Sequence, residues 1–337
     1  MFFPDARQLV EVPVFTPAQV EELKRKLYRP AFVEMEKRPE LSFAFLRPPG
    51  WEVGPPAMPP SQDYPVPSLA SVKRTNPTAA MEVGVVEAPY DCLPGDFLDC
   101  VLDGLTCTHA SEGPVGDGWY ADRSAHKDHG AELMAAHRRG GNLYVFLCAF
   151  KDATPKTRDE VLSILGTFSL KQEPASRLVG RWHLHGHPGA VPFAIPESAT
   201  VAKAPGGVAV TWSVEGGTVE LSARTPGPKE RSAGEVQEAL RTELKRKGIL
   251  LEDRPAVRQV DAPPGSTLSG PVSVTTWQAT PESKLPVEVT LLLGTRPDGS
   301  RLRVTAEVPA RTAHKIAWMR GRFALVQAVT TLGMQPA

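Results

Sequence analysis

Proline and glycine set the strongest limit on this chain, with 34 of the first and 28 of the second among 337 residues. Proline fixes its own φ and removes a backbone donor, and glycine loosens the backbone, so both tend to end regular elements. At this frequency they favour short helices and strands joined by many turns over a long-helix protein. No run of 18 apolar residues occurs, and the best stretch, residues 143–150, has only the length of a strand. Membrane insertion is therefore not expected. Apolar residues still make up 41% of the chain, enough for ordinary packed cores and against a mostly disordered chain.

The periodicities predict a particular order of elements. Thr16 caps a helix over residues 16–28, with Pro17 at its first position and Val20, Leu23 and Leu27 on one face. Residues 41–53 alternate as a strand, turn at Pro48-Pro49-Gly50 and re-enter a strand at Trp51. Strands follow at 69–73 and 80–87, then a helix from Pro94 through Leu105. Strands at 119–124, 131–138 and 142–150 lead to a helix over 157–170 with Val161, Ile164, Leu165 and Phe168 at core spacing. Residues 190–202 then repeat the alternation and proline turn of 41–53. A hairpin at 208–213 and 218–223 precedes a helix over 232–247, three strands at 272–280, 286–294 and 301–308, and a closing helix over 313–331.

Each half thus reads strand–turn–strand, paired strands, helix, more strands and closing helix, offset by roughly 150 residues. The expected class is α+β: two tandem antiparallel-sheet modules, each flanked by helices. The divisions expected are an N-terminal helical extension (1–38), a first module (39–172), a linker (173–189) and a more divergent second module (190–337).

Little in the sequence points to bond-breaking chemistry. Basic and acidic residues balance at 38 each, which gives no global field for nucleic acid. The basic runs at 22–26 and 241–247 fall toward helix ends without interleaved aromatics, and read as solvated surface. Neither GxGxxG nor GxxxxGK[ST] occurs, and Ser266 lies in a loop-like context rather than a nucleophile elbow. Cys92, Cys100, Cys107 and Cys148 match no zinc or redox spacing and read as free thiols of a reducing cytoplasm, the alternative being a disulfide such as Cys92–Cys107 in an exported chain. The first residues lack a basic segment followed by an apolar one, so a secretory signal is not expected. The only metal candidates are His183, His185 and His187, which an extended strand would place on one face, and a looser scatter of His126, His129 and His137. The first set has no Asp, Glu or Cys nearby to complete a site; the second has Asp122 and Asp128 nearby, but HKDH is not HExxH and Gly130 would break a helix there, and no cofactor is expected.

The element order resembles the α+β sandwich shared by PsbP-like, DcrB-like and Ran-binding Mog proteins. Phe43, Phe45, Pro49, Gly50 and Trp51 resemble the family's F-x-x-P-x-G-W opening, and Thr167-Phe168-Ser169-Leu170 is similar to its terminal I-L-x-S-F. The likeness covers residues 41–171 and, more loosely, 190–333, where Ser198 and Ala199 stand in place of the Gly-Trp pair. The resemblance implies a non-catalytic binder of other proteins: an adaptor, or a chaperone related to the Eag-type chaperones of type VI secretion that hold apolar segments of secreted effectors. Trp51, Met319, Phe323 and Val326 are the residues expected to touch such a partner, an apolar helix or strand. The alternatives are a metal-dependent binder or enzyme using the histidine clusters, and a structural subunit of a larger assembly.

Overall fold

In the computed structural model the chain divides into two units, Met1–Arg177 and Leu178–Ala337, each built of antiparallel sheet and helices in an α+β arrangement. The residues described are 10–57, 66–86, 92–101, 118–123, 131–139, 142–151, 154–171, 182–185, 193–204, 207–214, 217–225, 232–260, 268–281 and 285–331.

The first unit runs β1 (Val10–Glu11), α1 (Pro17–Arg25), β2 (Arg29–Val33), β3 (Phe43–Arg47), β4 (Trp51–Gly54), β5 (Ser68–Arg74), β6 (Ala79–Val86) and α2 (Pro94–Val101). It continues with β7 (Gly118–Arg123), β8 (Ala131–Arg139), β9 (Asn142–Phe150), α3 (Pro155–Gly166) and β10 (Ser169–Leu170). Seven strands form a sheet in the order β1-β7-β8-β9-β6-β5-β4, and β10-β3-β2 form a smaller one. The Pro48-Pro49-Gly50 turn is the corner between the two sheets. Gly50 has φ +79°, a left-handed conformation that a side chain would strain. One face of the large sheet packs Met81, Val83, Tyr144, Phe146 and Cys148 against Val161, Ile164 and Leu165 of α3 and Phe168 just beyond it.

The expectation of an N-terminal helical extension over 1–38 is corrected by two strands. Val10–Glu11 pairs with β7 and Arg29–Val33 pairs with β3, so this segment is woven into the first unit. Helix α1 does carry the expected cap: the Thr16 hydroxyl accepts from the Gln19 backbone and Gln19 returns the contact. None of its side chains is buried.

The second unit runs β11 (Trp182–His185), β12 (Phe193–Pro196), β13 (Thr200–Ala204), β14 (Gly207–Val214), β15 (Gly217–Arg224), α4 (Ala233–Arg246), β16 (Ile249–Leu251), β17 (Ala256–Val260), β18 (Ser269–Pro281), β19 (Val287–Thr295), β20 (Arg301–Pro309) and α5 (Lys315–Thr330). Its large sheet has the order β13-β14-β15-β20-β19-β18-β16, with β17 also on β18. Strand β11 lies within the stretch read as a linker. At four residues it is too short to display an alternation, as are the unpredicted β10 and β16.

The two units share one topology. In the first, the β4-β5-β6 meander is followed by α2, the β7-β8-β9 meander and α3, with β9 returning beside β6. In the second, β13-β14-β15 is followed by α4, β18-β19-β20 and α5, with β20 returning beside β15. A threonine ends each closing helix in the same way. Thr167 Oγ1 donates to Ser163 O and accepts from Leu46 N–H at 2.9 Å; Thr331 Oγ1 donates to Gln327 O and accepts from Ala194 N–H at 2.7 Å. Each hydroxyl ties a helix end to the strand that precedes the first meander.

Candidate functional site

Trp51, expected at a partner surface, is instead enclosed in the first unit at 1% exposure. Its indole N–H donates to Glu160 Oε2 of α3 at 2.9 Å, and the Arg74 guanidinium lies 5.2 Å from its ring centre. Arg74 also pairs with Glu160 and donates to Thr157 Oγ1 and Pro77 O. Arg74 and Glu160 are both buried, and their shared contacts are what make burying two charges tolerable. The cluster fastens α3 to β4 and β5.

Met319 and Phe323 are likewise buried, at 5% and 0% exposure, and Val326 is half-buried. Their spacing marks them as apolar; it does not reveal that sheet and strands cover them. Gly321 shows how closely α5 lies on the sheet, because a Cβ there would come within 2.5 Å of Val308. Helix α5 has its own buried anchor. Trp318 Nε1 donates to Glu288 Oε2 at 3.4 Å, Arg322 sits 3.6 Å from Glu288 Oε1, and the Arg322 guanidinium is 5.0 Å from the Trp318 ring.

Three of the six candidate histidines fall among the described residues. His183 and His185 stand on β11, paired with Ile195 and Phe193, while His187, His126 and His129 lie outside the described residues. Among the described residues no group of three or more His, Cys, Asp and Glu side chains is arranged to hold a metal ion. His137 is buried on β8 against Phe146 and Phe168, with Gly118 opposite so tightly that a Cβ there would meet the ring. Neither of its ring nitrogens has a hydrogen-bond partner among the described residues. Burial, aided by the charge of Arg139, pushes its pKa down to about 3, so the ring is neutral. Of the four cysteines, Cys92 and Cys148 are buried, and burial pushes the Cys148 thiol up. The side chains of Cys100 and Cys107 are outside the described residues.

A cluster of polar side chains lies in the second unit, on the sheet face that carries α4. Val236, Leu240 and Leu244 of α4 pack on Trp277, Val289, Leu291 and Leu293, covering the apolar half of that face. The same face continues over β20, β15 and β14 as Glu307, Glu220 and Thr211 in one row, and Thr305, Ser222 and Ala209 in the next. A cleft of about 260 Å³ opens here beside α4. Its floor is small: Ala204, Ala209 and Ser222. Its rim is charged and self-compensating. Lys247 Nζ lies 3.0 Å from Glu307 Oε1 and 3.4 Å from Glu220 Oε2, and Glu243 faces Arg303 and Arg224 at 3.0 and 3.7 Å. Burial raises the Glu307 carboxyl above its usual range despite Lys247. Burial works against the Lys247 charge, yet Glu307 and Glu220 outweigh it and hold the ammonium above its usual range.

These residues were hidden in a pattern that is itself readable. The alternation at 208–213 and 218–223 places Thr211, Glu220 and Ser222 on one face, which reads as solvated because nothing local shows that a helix flanks it. Lys247, part of the basic run read as a solvated helix end, is the residue that bridges two strands. No protein-family model matches the chain, and no curated protein matches its sequence. Among the described residues, no helix is long and apolar enough to cross a membrane.

Proposed function

We propose that the chain is a non-catalytic, protein-binding adaptor or chaperone made of two PsbP/DcrB/Mog-like α+β modules, acting in the cytoplasm beside a secretion apparatus. The observation that carries this reading is the second unit's cleft. It combines a floor of small side chains with hydroxyls and charge-balanced pairs along its edge. Such a surface matches the polar main chain of a protein segment and sets up no net field for a polyanion. The shared topology supports two modules of one kind. The buried Trp–Glu–Arg clusters fasten helices to sheets, a use of charged side chains in holding shape.

Reconstitution tests the proposal. The full chain is purified from its native source, any co-purifying protein is produced separately, and the two are mixed and weighed by light scattering. A complex of fixed stoichiometry is the expected result. If the chain keeps its own mass in the presence of every recovered candidate, the proposal fails.

A further inference from the structure

We propose that the cleft beside α4 binds an extended, proline-bearing segment of a partner protein by its main chain, as the first unit binds a segment of its own. This names the partner chemistry for the adaptor reading above and rests on it.

The argument comes from aligning the two units on their hairpins. The β5–β6 hairpin closes on Arg74 and Ala79, and the β14–β15 hairpin closes on Val214 and Gly217. Three residues back from each closing pair stand Ser71 opposite Glu82 in the first unit, and Thr211 opposite Glu220 in the second. The pairs are chemically equivalent: a hydroxyl donor across from a carboxylate acceptor, at the same place in the same topology.

In the first unit this pair has an occupant. The Ser71 hydroxyl donates to Pro55 O at 2.9 Å, and Glu82 Oε2 accepts the Ala57 N–H at 3.3 Å and the Ser68 hydroxyl at 2.7 Å. The occupying residues, Pro55-Pro56-Ala57, begin the long connection between β4 and β5. Beneath them Ser71 and Glu82 are 3% and 5% exposed. In the second unit the matching connection is residues 205–206 alone, too short to fold back over the face. Accordingly, Thr211 is half-buried and Glu220 exposed, and both line the cleft with no described segment over them.

Proline suits the occupant for a physical reason. Two adjacent prolines offer no N–H and hold the chain extended before binding, so little conformational freedom is lost. Their carbonyls remain as acceptors for a hydroxyl such as that of Thr211. The residue after them supplies the N–H that a carboxylate such as Glu220 needs. The small floor of Ala204, Ala209 and Ser222 leaves room for the pyrrolidine rings.

The probe is a fluorescein-labelled peptide with the sequence of residues 53–58, VGPPAM, titrated with the full chain and followed by anisotropy. Saturable binding is expected, weakened about fivefold or more by Thr211→Val and by Glu220→Ala, each of which removes one hydrogen-bonding side-chain group. The peptide VGAAAM should bind less well than VGPPAM. Thermal melts of both variants, altered only at accessible positions, establish that they fold. Absence of saturable binding, or binding that neither variant weakens, overturns the assignment of the cleft. In that event a partner complex reconstituted with the wild-type chain would show that the adaptor reading survives and only the site was misplaced. Failure of that reconstitution would remove the adaptor reading itself.

Discussion

The two units anchor their closing helices with the same three residue types in different places. In the first, Trp51 and Arg74 come from strands and Glu160 from α3. In the second, Trp318 and Arg322 come from α5 and Glu288 from β19. Counting back seven residues from the helix-ending threonine gives Glu160 in one unit and buried Ala324 in the other. Topology therefore does not decide where a buried charge sits. What a buried carboxylate requires is a cation and a second donor within reach, and two different arrangements provide them.

That comparison is easiest to break at Glu160. Glu160→Ala leaves the Arg74 guanidinium buried without its counter-ion and should cost about 3–5 kcal/mol, read from the shift of a urea unfolding midpoint. Glu288→Ala should cost less, about 1–3 kcal/mol, because its contacts are longer, at 3.4 and 3.6 Å. Replacing both charges of the first pair, Arg74→Met with Glu160→Leu, should recover most of the loss. A double variant no better than Glu160→Ala alone would show that the pair is not a unit.

Acid should separate the units next. His137 titrates near 3 in the folded chain against a usual value of 6.5. Between those values the unfolded chain binds the proton and the folded chain does not, so stability is complete above 6.5 and falls as the pH drops toward 3. The slope is about 1.4 kcal/mol per pH unit. His137→Leu should flatten that part of the first unit's pH profile, followed by urea unfolding at a series of pH values. An unchanged profile would place the acid sensitivity elsewhere.

The helix-ending threonines should respond alike. Thr167→Val and Thr331→Val each leave a backbone N–H, of Leu46 or Ala194, without its acceptor, and each should cost about 1–2 kcal/mol in the same assay. Clearly unequal losses would argue that the shared motif does different work in the two units. The smallest contrast lies in the caps. Ser232→Ala should cost about 1 kcal/mol, because α4 carries buried Val236, Leu240 and Leu244, whereas Thr16→Ala on the exposed α1 should fray that helix with a loss nearer 0.3 kcal/mol. Circular dichroism melts distinguish the two.

Much of the second unit was readable because its signals are local. Ser232, the stripe of Val236, Leu240 and Leu244, and Gly248 with its φ of +73° mark α4 without reference to any other part of the chain. The β14–β15 hairpin announces itself by alternation and turn residues, and β5 and β6 are legible as strands. Misreadings cluster where the answer depends on distant residues. Trp51, Met319 and Phe323 look like contact residues in sequence because hydrophobicity reports a preference for burial and not what does the burying. Nothing local marks Arg74 and Glu160 as partners, since 86 residues separate them. The cleft was invisible for the same reason: Thr211 and Glu220 face Lys247 only when α4 is laid beside β15.

The sequence by itself determined the class of fold, the short elements and their order, because proline, glycine, caps and periodicity act on the backbone within a few residues. Tertiary structure alone decided which charges are buried, which aromatic residues are enclosed and which sheet face lies open. Those outcomes depend on dielectric and packing, and both are set by neighbours that arrive from far along the chain.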